Sequence, residues 1–216
     1  MQHTEIKNAV SRSQHCQRNW DLDKEIPQED LDLIVHAATQ CPSKQNIAYY
    51  KLHFITNRNI IEAVHDKTAG FINYETGDSE TNSQTLANLL IAFEEEDYID
   101  RHTTDTVFRN DELFAHDNNE MTQEQKDALA RDKFMAIGIA SGYINLTASM
   151  LGYSTGYCAC FDGYQRNFKE LNAKKPIKLL IGIGFANANK NRLVHHKSDF
   201  VFPAKIKQEI RTNFIE

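Results

Sequence analysis

"TQEQKDALARDKFMAIGIASGYINLTASMLGYSTG", residues 122–156, decides how this chain is read. A polar cap at Thr122 opens the stretch, and no proline interrupts it before Gly152, which predicts one long helix. Its second half is rich in small residues: Ala136, Gly138, Ala140, Ser141 and Gly142. Each glycine inside a helix costs about 1 kcal/mol relative to alanine. Small side chains let a neighbouring backbone come close. The expectation is therefore a central helix, surrounded on all sides, whose packing offsets that cost.

Outward from that helix the segments change type. "IPQEDLDLIVHAATQCP", residues 26–42, carries Leu31, Ile34, Val35 and Ala38 on one helical stripe. Pro27 suits a first turn, Glu29 and Asp30 suit the positive end of the helix dipole, and Pro42 marks the stop. "YYKLHFIT", 49–56, reads as a strand and "NIIEAVHDK", 59–67, as a short helix. The unbroken apolar run Leu89–Phe93 reads as a buried strand, as does "KPIKLLIGIGFA", 175–186. The Gly-Ile-Gly within the latter is no dinucleotide fingerprint, because no third glycine follows. Residues 94–122 are acidic and polar; they read as a solvated surface segment, with a lid as the alternative. Residues 193–216 read as a polar tail with a last short helix. Helix and strand alternate without a regular βαβ rhythm, which predicts an α+β chain forming one unit over 1–216.

Composition excludes several classes. The chain has 216 residues, 41% hydrophobic and 25% charged, as a globular domain does. Its formal net charge of -6 leaves no general basic footprint for nucleic acid. No run approaches the ~18 apolar residues of a membrane span. "MQHTEIKNAV" lacks the apolar centre of a signal peptide, so the expected setting is cytoplasmic, away from membranes. Cys16, Cys41, Cys158 and Cys160 are too few for a disulfide framework. Cys158 and Cys160 form C-x-C, without the second pair or nearby histidine that a zinc site requires. The pair His195-His196 reads as surface rather than metal ligand.

Four short segments put hydrogen-bonding groups at element boundaries: "QHCQRNWD" (14–21), "PSKQN" (42–46), "YCACFD" (157–162) and "KNR" (190–192). Singly, Arg18 reads as a surface charge, and Lys190 with Arg192 as a basic loop. In their order and spacing they resemble the nitroreductase family of FMN-dependent oxidoreductases. That family opens with an Arg-x-Ser-x-Arg-x-Phe-like segment, and Gln14, Cys16, Arg18 and Trp20 occupy its places. Pro42, Ser43 and Asn46 match its Pro-Ser-x-x-Asn. "GYSTGYCACFD", 152–162, follows the long helix as the family's glycine-containing turn does, and Lys190-x-Arg192 closes the core. The resemblance covers about residues 6–195, leaving 196–216 as a C-terminal arm.

The resemblance implies a nitroreductase-like α+β fold, with a central mixed or antiparallel sheet surrounded by helices. It further implies a homodimer with two flavin sites at the interface, and FMN reduced by NAD(P)H. A nitroaromatic, quinone or similar acceptor would then reoxidise it. A phosphate dianion calls for fixed cations and donors. By resemblance Lys190 and Arg192 hold it, and Gln14, His15 and Cys16 lie in the adjoining loop. Arg18 is expected near the ribityl chain or the pyrimidine edge, where a cation favours the reduced, anionic flavin. Pro42, Ser43, Lys44 and Asn46 are expected to reach the flavin held mainly by the other subunit; a plain helix end and solvated turn is the alternative. Cys158, Ala159 and Cys160 stand where the family's backbone meets flavin N5. No catalytic side chain and no metal are implied.

Four positions depart from the pattern. Ile47-Ala48-Tyr49-Tyr50 follows Asn46 where the family has x-Gln-Pro-Trp. Asn82 or Gln84 stands where an asparagine and a cation are usual. Ala159-Cys160 replaces Glu-Gly, and Gln14 replaces a basic residue. These changes leave redox tuning, the nicotinamide site and the substrate open. They also leave open a flavin enzyme without nicotinamide chemistry, dehalogenase-like or flavin-fragmenting, and a non-enzymatic flavin-binding homologue.

Overall fold

The structure is a computed structural model, and it describes residues 3–96, 122–161 and 168–215. The helices are α1 (His3–Ser13), α2 (Gln28–Thr39), α3 (Arg58–His65) and α4 (Gln123–Met150). The strands are β1 (Tyr50–Ile55), β2 (Phe71–Ile72), β3 (Ser79–Glu80), β4 (Leu89–Glu95), β5 (Ser154–Cys158) and β6 (Ile177–Gly184). Four of them form a sheet in the order β1-β4-β6-β5, every pairing antiparallel. β2 and β3 form a separate hairpin. This is the α+β arrangement that the segment order predicts.

β4 shows why the sheet is central. Leu89, Leu90, Ile91, Ala92 and Phe93 are all fully buried, so both faces of the strand are covered. Alternation sends Leu89, Ile91 and Phe93 to one core with Ile34, Ile144 and Ile181. Leu90 and Ala92 go to the other, with Ile61, Phe168 and Leu180. Truncating any of the large members to alanine costs about 2–5 kcal/mol.

α4 begins at a capping box. Gln125 N–H donates to Thr122 Oγ1 (3.3 Å), and Thr122 N–H donates to Gln125 Oε1 (2.8 Å). Such a cap contributes about 1 kcal/mol. Asp132, Ala136, Ala140, Ile144 and Ala148, every fourth residue, form its buried stripe. The helix is not surrounded, contrary to the expectation above. Met135, Ile139, Tyr143, Leu146 and Met150 are exposed, and side chains built at Gly138 and Gly142 would meet nothing within 4 Å. The small residues that suggested close packing therefore lie partly on an open face.

Two further differences concern the ends. α1 carries only the short stripe Ile6, Ala9 and Val10, and of these it buries Ala9 alone. It docks by hydrogen bonds instead: Ser149 Oγ donates to Ala9 O (2.7 Å) and Arg12 Nη2 to Ser149 O (2.5 Å). The short helix expected in the tail is absent. Residues 203–215 have no regular structure and lie exposed, and an isolated helix of that length is marginal without a face to pack on. Most of the segment read as surface or lid, residues 97–121, lies outside the described residues.

Candidate functional site

The loop after α1 is stitched to the loop after β6. Gln17 N–H donates to Thr155 O on β5 (2.8 Å), and Arg18 N–H to Arg192 O (3.0 Å). Asn19 Nδ2 donates to Asn191 O (2.6 Å) and to Val194 O (3.2 Å). Arg192 Nη1 reaches Cys16 O (3.4 Å). The structure thus brings Cys16, Arg18 and Arg192 together, with Lys190 two residues away. His15 and Gln14 lie on the exposed side of the same loop. Burial pushes the Cys16 thiol up, and the charges of Arg18 and Arg192 oppose that shift.

Among the described residues no carboxylate pairs with Arg18, Lys190 or Arg192. The Arg18 guanidinium has neutral partners: Nη1 donates to Gln84 Oε1, and the group lies 4.0 Å from the centroid of the Phe202 ring. Its Nε is buried without a hydrogen-bond partner. A buried orphan donor costs about 1–3 kcal/mol, more when it belongs to a charge. Two arginines on adjoining loops, a lysine two residues along and an orphan N–H suit an anionic ligand.

Asn82 and Gln84 sit in a turn that lies across the sheet. Paired glycines make room for it. A side chain at Gly156 would come 2.5 Å from Gln84 Cβ, and one at Gly182, its register partner, would strike the Gln84 carbonyl. Asn82 is spent locally, since Nδ2 donates to Ala69 O and Oδ1 accepts from Gln84 Nε2 (3.2 Å). Of the segment after β5, the Cys158 side chain packs in the core, where burial pushes its thiol up to about 12. Ala159 and Cys160 are exposed, and Cys160 O accepts from Ala69 N–H (2.6 Å). All four cysteines are free thiols.

His195 is not a surface residue. It is buried at 3% exposure and stacks on Phe202 with ring centroids 6.0 Å apart. Its Nδ1 accepts the N–H groups of Lys197 and Ser198 (both 3.1 Å), so Nε2 carries the proton and donates to Thr81 Oγ1 (3.3 Å). Thr81 then donates to His65 Nε2 (2.6 Å), and His65 Nδ1–H to Thr85 Oγ1 (3.1 Å), which donates to Asn82 O (3.0 Å). Each link has one direction, and both rings are neutral. Burial pushes His65 down to about 4 and lowers His195 as well. No cluster of metal-ligating side chains occurs among the described residues.

The "PSKQN" loop is elsewhere. Ser43 Oγ donates to Ile47 O (2.8 Å), and Asn46 holds the left-handed conformation at φ 54°. Lys44 Nζ lies 2.6 Å from Oδ2 of buried Asp132 on α4. Ser43 and Asn46 border a groove of about 610 Å³ with Cys41, Tyr50, Leu52 and Phe54. The other loop is anchored further along α4, where Asn145 Nδ2 donates to Ser13 O (2.9 Å). From Asp132 to Asn145 the helix advances about 20 Å at ~1.5 Å per residue. One chain therefore holds its two candidate half-sites at separated points.

The sequence reading missed Asp132 and Phe202. Asp132 had a signal: it is a charge on the same fourth-residue stripe as Ala136, Ala140 and Ile144. Phe202 had none, being one aromatic in a polar tail.

The Nitroreductase family model matches residues 12–185. The chain belongs to the nitroreductase family. No curated protein sequence matches it. Its fold is similar to that of an FMN-dependent nitroreductase from Clostridium difficile R20291 (18% identity, covering 86% of this chain and 90% of that one, TM-score 0.53). It is also similar to a nitroreductase family protein from Streptococcus pneumoniae TIGR4 (17% identity, 94% and 96%, TM-score 0.57). A third likeness is to a structure in complex with FMN from Exiguobacterium sibiricum 255-15 (16% identity, 96% and 94%, TM-score 0.57). Among the described residues of this nitroreductase-family chain, no helix is long and apolar enough to cross a membrane.

Proposed function

We propose that this chain is an FMN-dependent oxidoreductase acting as a homodimer. The observation that carries the proposal is the group Arg18, Lys190 and Arg192, with no carboxylate among the described residues to neutralise it. Lys190 and Arg192 hold the FMN phosphate. Arg18 faces the ribityl chain or pyrimidine edge and favours negative charge there. Main-chain groups of Ala159 and Cys160 meet the ring. When bound, FMN would supply the two-electron redox chemistry, with NAD(P)H as donor and a nitroaromatic, quinone or similar compound as acceptor in ping-pong order. No side chain of this chain is needed as an acid or base, since solvent delivers protons.

The open face of α4 supports the dimer. An antiparallel crossing of two copies near Gly138 and Ile139 sets the Asp132 end of one helix beside the Asn145 end of its mate. That unites Ser43, Lys44 and Asn46 of one subunit with the cations of the other. It also covers Met135, Tyr143, Leu146 and Met150. The arm supports the same reading, because Ile206, Ile210, Phe214 and Ile215 are 74–95% exposed on their own chain and suit a partner's surface.

An absorbance spectrum tests the function. Purified protein should be yellow, with a flavin band that bleaches when NADPH or NADH is added without oxygen. Colourless protein that refuses added FMN would end the proposal. Yellow protein that bleaches with dithionite but with neither nicotinamide would retain the flavin and remove the donor.

A further inference from the structure

Gln84 explains why the Arg18 charge stays whole. Its amide has one orientation. Oε1 accepts from Arg18 Nη1, while Nε2 donates to Tyr157 O (3.1 Å) and to Asn82 Oδ1 (3.2 Å). A flipped amide would set its NH2 against the guanidinium and its oxygen against the Tyr157 carbonyl. The backbone below is held as firmly, because Gly156 and Gly182 clear the space that Gln84 fills. Gln84 is 2% exposed, so solvent does not compete for these bonds. Phe202, itself 4% exposed, covers a face of the guanidinium with a ring that carries no charge.

We propose that Gln84 is a positioning residue that holds Arg18 by a neutral oxygen, so that the full cation is presented to the flavin and makes the flavin easier to reduce. This rests on the FMN reading above. A glutamate of the same reach would hold Arg18 equally well, yet it would cancel the charge. A neutral acceptor at this one position separates holding from neutralising. The departures noted in the sequence give it weight, since the cation usual near residue 84 is missing from this chain.

The test is the midpoint potential of FMN-loaded protein, followed by spectroelectrochemical titration. Gln84→Glu should shift the flavin's reduction equilibrium at least tenfold towards the oxidised form, a fall of about 30 mV for a two-electron couple. In an Arg18→Gln background the same change should shift it by less than threefold, because Gln84 acts through Arg18. A potential that ignores Gln84→Glu, or moves equally in both backgrounds, overturns the proposal. Should the glutamate variant fail to fold, Gln84→Met takes its place. It should move the potential in the same direction by a smaller step, and no movement overturns the idea as surely. Wild-type protein that takes up no FMN overturns both this inference and the function beneath it; loaded protein indifferent to Gln84 overturns this inference alone.

Discussion

The loops at 14–20 and 42–46 both carry motif residues, yet they are built in opposite ways. The first is bonded to β5 and to the 190–194 loop, and among the described residues no carboxylate pairs with Arg18, Lys190 or Arg192 of the two loops. The second closes on itself through Ser43 and Ile47, and one ion pair, Lys44 with Asp132, fastens it to α4. One loop holds its polar groups in place and, in the proposed function, receives the phosphate. The other is a set of amide and hydroxyl groups presented at a distance. The difference teaches that a single chain holds the two sets of motif residues apart, and it is the proposed second copy that would join them.

The largest effect is expected from breaking the junction itself. Ile139→Glu puts two carboxylates at the proposed helix crossing while leaving the buried stripe of α4 untouched. Sedimentation or light scattering should show a monomer, and FMN binding should fall below detection. A dimer with normal flavin content would mean that the halves do not meet across this helix. Next in size is the cationic half. Lys190→Ala with Arg192→Ala removes two charge-assisted contacts of ~1.5–3 kcal/mol each, so FMN affinity should weaken about 100-fold or more. The dimer should persist, and a fluorescence titration with unchanged affinity would misplace the phosphate.

A smaller effect separates what the second loop does from how it is held. Lys44→Met leaves buried Asp132 with only the longer Arg131 contact (3.9 Å), so stability should fall by about 1–3 kcal/mol. FMN affinity should weaken about 3-fold to 10-fold. Adding Asp132→Leu removes the stranded carboxylate and should restore most of the stability. It should not restore the affinity, because the loop is still missing its lysine. If chemical denaturation and flavin titration recover together, Lys44 serves the fold and not the site.

Much of this contrast was legible in the residues, and some was not. β4 and β6 were plain because strands covered on both faces must be apolar throughout. α2 and α4 were plain because their stripes recur at helical spacing. The motif positions 16, 18, 43, 46, 190 and 192 could be marked, but not where they lie relative to one another, since that depends on the length of α4. Small residues misled: Gly138 and Gly142 suggested close approach, yet no part of the described chain approaches them. His195 misled for a related reason. Beside a second histidine and Lys197 it looks like surface, and only the fold brings Thr81 and Phe202 against it.

That histidine cluster gives the smallest effect and bears on the first loop's surroundings alone. His195, Thr81, His65 and Thr85 tie the segment after Arg192 to the turn that carries Gln84. His65 is neutral in the fold because Thr81 has a single proton to give. If His65 took a second proton at Nε2, Thr81 would face two donors and its own O–H would lose its acceptor. Burial, the main cause, holds the folded pKa at about 4, well below the ordinary value of 6.5. The unfolded chain therefore binds more protons between those two values, and stability must fall as pH drops from 6.5 towards 4. The full difference is on the order of 3 kcal/mol. Glu94 and Glu95, whose folded pKa values lie below their ordinary 4.5, lose their contribution only at lower pH, so the window from 6.5 to 4.5 belongs to the histidines. His65→Leu should lower the melting temperature at pH 7, where two hydrogen bonds are lost, and should flatten its decline through that window. Lys44→Met should leave the slope of that decline unchanged, since the 42–46 loop has no part in the cluster. A His65→Leu profile as steep as that of the wild type would place the titrating groups outside the histidine cluster.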